Sequence, residues 1–167
     1  MKRRTKNEFK IYISALLYIV IFNIIVVSSV IALHELGHFY IGQYLGCENI
    51  KIVLLDESLK TYTQMNCSPD MPMPSIYALM LAGFLFVIPI SIALIFMRNY
   101  EKFYSVIAIG FNFLISSSDL SVFPAVFSYI FPVLGVIFIL YGETLLINNY
   151  LMHIDKLRVV MISSSKK

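Results

Sequence analysis

The stretch IYISALLYIVIFNIIVVSSVIALHELGHFYIGQYL, residues 11–45, decides the fold of this chain. It is apolar for longer than the roughly 20 residues that a helix needs to cross a bilayer. Glu35 is the one Asp, Glu, Lys or Arg in it. His34 and His38 stand four positions apart around Glu35, so both imidazoles lie on one helix face and can reach one metal ion. The stretch therefore predicts a membrane-spanning helix that carries a metal site.

The composition of the whole chain points the same way. Of 167 residues, 59% are hydrophobic and 14% are charged, whereas about a quarter of a soluble domain is charged. The net charge is +3, and the basic residues cluster at the ends of apolar stretches. This distribution excludes a nucleic-acid-binding face. The length suits a single membrane-embedded domain over residues 1–167.

Four apolar stretches predict an all-α membrane protein with about four transmembrane helices, at 11–45, 75–97, 103–118 and 120–147. Because basic residues favour the cytoplasmic side, their positions predict that both termini are cytoplasmic. In that orientation, eleven of the 13 Lys and Arg residues lie in the cytoplasm: Lys2, Arg3, Arg4, Lys6, Lys10, Arg98, Lys102, Lys156, Arg158, Lys166 and Lys167. Lys51 and Lys60 remain outside.

The segment between the first two stretches predicts a small β-hairpin. Residues 50–55 and 60–65 are typical of two short strands, with a turn at 56–58. Such a hairpin either caps the molecule or offers an exposed edge to an extended peptide. Cys47 and Cys67 also fall in this segment. They are disulfide-bonded if it faces an oxidising compartment, and free thiols otherwise.

A hydrolytic zinc ion takes three protein ligands and leaves one position for water, so the two histidines need a third partner. Asp119, Glu143 and His153 are the candidates. At about 1.5 Å per helical residue, Asp119 ends the third stretch at the level of the histidines, in the outer half of the bilayer. Glu143 falls near the inner end of the fourth stretch and His153 beyond it. We therefore predict Asp119 as the third zinc ligand.

Glu35 is the predicted general base, because it stands beside the water whose pKa the ion lowers. A run of three serines before Asp119 and a proline at position 124 predict a broken helix that lines a wet cavity. Asp119 has an alternative role as the N-cap of the next helix. Asn112 either makes an interhelical hydrogen bond or binds the backbone of a substrate.

These residues resemble the site-2 protease-like intramembrane metalloproteases. The resemblance rests on Ala-Leu-His-Glu-Leu-Gly-His at 32–38, on Leu-Ala-Gly-Phe at 81–84, and on the segment from Asn112 to Asp119. The proline that usually follows the family's second element is Phe84 here, and Leu120 replaces the glycine after the aspartate. The family implies zinc as the cofactor and cleavage of a peptide bond within or beside a transmembrane segment.

The sequence is compatible with several functions. The preferred one is a zinc endopeptidase whose partners are a membrane protein or peptide substrate and the lipid bilayer. The first alternative is a metal-binding membrane carrier or sensor without hydrolysis, which needs the ligands but not Glu35. The second is a membrane zinc protease with Glu143 as the third ligand. The third is a scaffold that binds membrane partners without zinc.

Overall fold

The computed structural model describes residues 2–54, 56, 60–96 and 101–164, with side chains except at 2–8, 10, 101, 121–122 and 153–164. Its elements are α1 (Lys2–Tyr44), β1 (Glu48–Val53), β2 (Tyr62–Asn66), α2 (Met73–Ile95), α3 (Glu101–Ser116) and α4 (Ala125–Ser164). A single 3₁₀ turn, Asp119–Val122, lies between α3 and α4. The described chain is mostly helical with one small sheet, as the sequence predicts.

The predicted number of spans needs correction. Among the described residues, three helical segments are long and apolar enough to cross a membrane: Ile11–Tyr44, Met73–Ile95 and Ala125–Met152. The third predicted span, 103–118, is instead a shorter apolar helix, Lys102–Ser116. It ends early because serine hydroxyls compete for the backbone: Ser117 Oγ donates to the Leu114 carbonyl at 2.7 Å and Ser118 Oγ to the Ile115 carbonyl at 3.1 Å.

The fourth predicted span also has different bounds. The sequence predicts it at 120–147, but α4 begins at Ala125 and continues to Ser164. Pro124 stands directly before the helix, where its missing amide hydrogen costs nothing. Of the two prolines in the predicted span, Pro132 lies inside α4, whereas Pro124 lies outside it. The chain between α3 and α4 is therefore a break of several residues that includes Asp119.

Neighbouring helices pair in an antiparallel manner. On α2 and α3, Ser105 Oγ donates to the Ser91 carbonyl, and Asn112 Nδ2 donates to the Phe84 carbonyl at 3.1 Å. A residue later in α3 thus meets a residue earlier in α2. On α1 and α4, the ring of Tyr18 stacks on that of Tyr150, with centroids 5.6 Å apart. The first half of α1 and the second half of α4 therefore lie at the same end of the bundle.

The buried apolar core lies where the helices meet. Its fully buried members come from α1, α2, α3 and α4 and include Val26, Val30, Val87, Ile107 and Leu146. Most other large apolar side chains of α1 and α4 face outward. An outer surface of this kind is unfavourable in water and favourable against lipid. Together with the three long apolar helices, it identifies the chain as a membrane protein.

The two strands form the predicted antiparallel hairpin, displaced by about two residues from the predicted bounds. Glu48 pairs with Asn66 and Val53 with Tyr62. The predicted turn at 56–58 lies partly outside the described residues, since 57 and 58 are not described. At its described end, the Asp56 amide donates to the Lys60 carbonyl at 3.0 Å.

Candidate metal centre

Two of the candidate metal ligands lie on one face of α1. His34 and His38 are one helical turn apart and their rings lie 4.9 Å apart, centroid to centroid. The His34 side chain is 2% exposed and that of His38 13%. Their Nε2 atoms are separated by 3.2 Å. Two imidazole nitrogens are thus directed at one small volume, as the spacing of the motif predicts.

Asp119 completes the group. Its Oδ2 lies 2.8 Å from His34 Nε2 and 3.2 Å from His38 Nε2. In a tetrahedral zinc site with bonds of about 2.1 Å, two ligand atoms are about 3.4 Å apart. The three atoms therefore need only small outward shifts to surround one ion. The structure brings together the three residues that the sequence singled out, and the group can hold a metal ion.

The local fold at the break places Asp119 there. Because α3 ends at Ser116, the chain turns back at the level of the histidines and begins the 3₁₀ turn at Asp119. Leu120, next to it, is 3% exposed and anchors the turn in the protein. Since α4 begins six residues later, at Ala125, Asp119 is not the N-cap of α4. The alternative capping role is therefore wrong.

A second set of contacts orients the imidazoles. His38 Nδ1 lies 2.9 Å from the Leu79 carbonyl oxygen, which accepts only. This contact requires a proton on Nδ1, so the Nε2 lone pair of the neutral imidazole is directed at Asp119. A histidine that binds a metal is normally held through its other nitrogen in this way. Sequence reasoning missed Leu79, because every residue has a carbonyl and the pattern of side chains carries no signal for it.

Asn112 lies behind His34. It is fully buried, its Oδ1 is 3.4 Å from His34 Nδ1, and its Nδ2 donates to the Phe84 carbonyl. Ser116 Oγ approaches the same His34 nitrogen at 3.5 Å. Of the two roles considered for Asn112, these contacts correspond to the interhelical hydrogen bond. Its role as a substrate-binding residue stays a prediction.

Gly83 provides the space for the His34 ring. A Cβ atom at this position would lie 2.5 Å from both Cε1 and Nε2 of His34. Any side chain here would push the ring out of place. The Ala-Gly pair at 82–83, which carries part of the resemblance described above, is thus in direct contact with a candidate ligand.

Glu35 lies next to the candidate ligands and is 6% exposed. Thr63 Oγ1, on β2, donates a hydrogen bond to Glu35 Oε2 at 2.7 Å. A cavity of about 670 Å³ opens in front of these groups. It is lined by His34, Glu35, His38, Lys60, Thr61, Tyr62, Thr63, Met65, Leu79, Met80, Ile115, Ser118 and Asp119. The carboxylate of Glu35 and all three candidate ligands thus border one cavity.

The other two ligand candidates have different surroundings. Glu143 Oε1 accepts a hydrogen bond from Asn23 Nδ2. Asn23 precedes His34 by eleven residues in α1, which is about 16 Å along a helix. Glu143 thus lies far from the histidine pair, as the sequence predicts. His153 lies outside the residues whose side chains the structure describes.

The hairpin is fastened at its base. Cys47 and Cys67 form a disulfide, with their Cα atoms 4.3 Å apart. Of the two states left open by the sequence, the bonded one is present. The side chains of Ile50 and Met65 both pack against Gly42 of α1. The hairpin therefore covers one side of the cavity, and pairing of its edge with a peptide stays a prediction.

A scan against protein-family models and searches of curated proteins and of solved structures found no match to this chain. The resemblance to intramembrane metalloproteases therefore rests on the residues quoted above.

Proposed function

We propose that this protein is a zinc-dependent intramembrane endopeptidase, related to the site-2 protease-like family, that cleaves a peptide bond within or next to a transmembrane segment. The observation that carries the proposal is the convergence of His34 Nε2, His38 Nε2 and Asp119 Oδ2 within 3.2 Å of one another. A carboxylate that is not itself a candidate ligand, Glu35, borders the same cavity. This is the residue set of a hydrolytic zinc site with one open position.

The chemistry follows from the roles of these side chains. His34, His38 and Asp119 would hold the ion, and zinc, when bound, supplies Lewis acidity and lowers the pKa of water. Glu35 takes a proton from the attacking water while the water oxygen bonds to the substrate carbonyl carbon. Glu35 then passes this proton to the amide nitrogen as the C–N bond breaks. The products are a carboxylic acid and an amine, and transfer of the acid proton to the amine gives the carboxylate and the ammonium ion.

The hydrogen bonds around the histidines support this reaction. The Leu79 carbonyl holds the proton on His38 Nδ1, so Nε2 stays available as a ligand. Burial of His34 and Glu35 keeps bulk water away and strengthens electrostatic interactions inside the cavity. The cavity is large enough for several residues of an extended peptide, and its wall of β2 residues gives such a peptide a surface to lie against.

The proposal includes an orientation. The asymmetry of Lys and Arg favours cytoplasmic termini. A disulfide between Cys47 and Cys67 favours an oxidising compartment for the hairpin. The two criteria are independent and agree. We therefore propose that the hairpin and the metal centre lie toward the extracytoplasmic face.

Zinc analysis and cleavage assays on the same variants test the proposal. The probes are single-span peptides with a fluorophore and a quencher on opposite sides of the span, reconstituted in vesicles with the purified protein. We expect one zinc ion per chain in the wild type, loss of zinc in His34→Ala and Asp119→Ala, and retention of zinc in Glu35→Gln. Glu35→Gln should lower the cleavage rate by at least about 100-fold, because the proton acceptor is removed.

Glu143→Ala is the matched carboxylate control, because Glu143 bonds to Asn23 and not to the histidines. Retention of zinc in Glu143→Ala and its loss in Asp119→Ala would exclude Glu143 as the third ligand. A zinc-loaded wild type that cleaves none of the peptides, or equal cleavage by Glu35→Gln, would instead favour a carrier or sensor. A wild type without zinc would favour the scaffold.

A further inference from the structure

The carboxylate of Glu35 is bonded to a residue of the hairpin. Thr63 Oγ1 lies 2.7 Å from Glu35 Oε2 and 3.1 Å from the Glu35 carbonyl oxygen. A hydroxyl has one proton to donate, and the shorter contact is the one to the charged oxygen. Thr63 therefore engages Oε2. The other carboxylate oxygen, Oε1, is left for the cavity that Glu35 borders.

The position of Thr63 is set by the packing of the strand. Alternate residues of β2 face α1, and along Tyr62–Asn66 the more buried positions are Thr63 and Met65. Met65 packs against Gly42, where a Cβ atom would come within 2.9 Å of the Met65 sulfur. Glu35 and Gly42 are two helical turns apart on one face of α1. The strand thus docks on α1 at two points, with Met65 at Gly42 and Thr63 at Glu35.

A covalent bond holds this arrangement together. Cys47 lies three residues after the end of α1 and Cys67 follows β2 directly, so their disulfide ties the end of the strand to the chain just beyond the helix. The Cys47 amide also donates to the Gly42 carbonyl at 2.9 Å. Because the base of the hairpin is fixed on α1, the register that places the Thr63 hydroxyl on Glu35 is maintained.

We propose that Thr63 is a positioning residue for Glu35: its hydroxyl holds Oε2 and thereby directs Oε1 toward the metal centre. This inference rests on the proposed function. A glutamate side chain has three rotatable bonds, and a buried carboxylate without a donor would rotate to find another partner. With Thr63 in place, the base is oriented before substrate arrives. A base oriented in advance accelerates the proton transfer without changing how tightly substrate binds.

Kinetics of Thr63→Val and Thr63→Ser test the inference on the purified, zinc-loaded full chain with the quenched single-span peptides. Valine has nearly the shape of threonine and suits a strand, but it has no hydroxyl. We expect Thr63→Val to lower kcat by about 10- to 100-fold, with KM and zinc content unchanged. Thr63→Ser should keep most of the wild-type kcat, because serine provides a hydroxyl that can donate to Glu35.

Thr144→Val is the matched control. The Thr144 hydroxyl donates to the Leu140 carbonyl within α4, and Thr144 does not border the cavity. We expect kcat and KM of this variant to equal those of the wild type. Gly42→Val is an independent variant that keeps Thr63 but pushes Met65 and the strand off α1. It should lower kcat with zinc retained.

The outcomes distinguish failure of the proposed role of Thr63 from failure of the proposed protease function. If the wild type cleaves, Glu35→Gln is inert and Thr63→Val keeps the wild-type kcat, the inference is overturned and the function stands. Failure of Thr63→Ser to recover activity, or loss of zinc from Thr63→Val, also overturns it, since the hydroxyl of Thr63 bonds to Glu35 and not to a candidate ligand. If Glu35→Gln cleaves as fast as the wild type, the function itself fails.

Discussion

At the scale of the residue, the centre depends on where each imidazole proton resides. His38 Nδ1 faces a carbonyl oxygen, and His34 Nδ1 faces the Asn112 amide oxygen, whose own amide nitrogen donates to the Phe84 carbonyl. In their neutral form, both histidines therefore present Nε2 to Asp119 as acceptors. Two lone pairs and a carboxylate that face one another repel, and a cation between them removes this repulsion. The hydrogen bonds at Nδ1 of the two histidines thus favour binding of a cation at Nε2.

Gly83→Ala tests how tightly the His34 ring is confined. The added methyl group would lie 2.5 Å from the ring, so the ring must leave the position in which its Nε2 is 2.8 Å from Asp119 Oδ2. We expect this variant to bind zinc about tenfold more weakly or worse. Competition with a chelator of known affinity measures the change.

Gly142→Ala is the control for Gly83→Ala. A methyl group at Gly142 would lie equally close, 2.5 Å, to Ile107 Cγ1, but this contact is in the apolar core between α3 and α4. The control should lower thermal stability and leave zinc affinity unchanged. Equal zinc affinity in Gly83→Ala and the wild type would show that Gly83 does not confine the ring.

At the scale of the element, the end of α3 is the decisive feature. The serine run predicts a break, and the hydroxyls of Ser117 and Ser118 do bond to carbonyls of the preceding turn. Sequence reasoning nevertheless extended the helix to 118, because the apolar pattern continues to Leu114 and Ile115. Hydropathy does not register the loss of a helical hydrogen bond to a side-chain hydroxyl, so the helix was predicted two residues too long.

Removal of the disulfide tests the role of the hairpin base. Cys47→Ser combined with Cys67→Ser opens a loop with a sequence separation of 20 residues, which for loops of this size costs about 3 kcal/mol in the entropic view. We expect faster hydrogen exchange at β2 amides and a lower kcat, with zinc content unchanged. Mass spectrometry of exchanged peptides measures the first effect.

Chemical reduction of the wild type provides the comparison for that double variant. It should produce the same faster exchange at β2 without any substitution. Unchanged exchange in both cases would mean that packing of Ile50 and Met65 on α1 is sufficient to hold the strand.

At the scale of the whole molecule, the antiparallel helix arrangement decides which polar groups meet. Asn23 and Glu143 are joined near the middle of α1 and α4, while His34, farther along α1, meets Asp119. Polar groups in an apolar layer are expensive to bury, so both pairs restrict how α1 can slide against its neighbours. The sequence predicts that Glu143 and the histidines lie at different depths in the membrane, because helical rise converts residue number into height.

Cysteine labelling tests the orientation of the molecule. In a background of Cys47→Ser and Cys67→Ser, Lys6→Cys and Lys166→Cys place single thiols near the two termini. In right-side-out vesicles, we expect an impermeant maleimide to label both only after permeabilisation, because the basic flanks favour the cytoplasm. In the wild type, Cys47 and Cys67 should be labelled in sealed vesicles once their disulfide is reduced. Labelling of either terminus in sealed vesicles would contradict the proposed orientation.

The sequence by itself determined what depends on neighbours along the chain: an apolar helix through 11–45, the shared face of His34 and His38, and the alternation of the hairpin strands. Helical and strand periodicity make these properties nearly independent of the rest of the molecule. Only the tertiary structure decided that Asp119, 85 positions from His34, lies 2.8 Å from it, and that Thr63 reaches Glu35. Such contacts depend on how deeply helices and strand pack together, which is set by sub-ångström fit at residues such as Gly42 and Gly83.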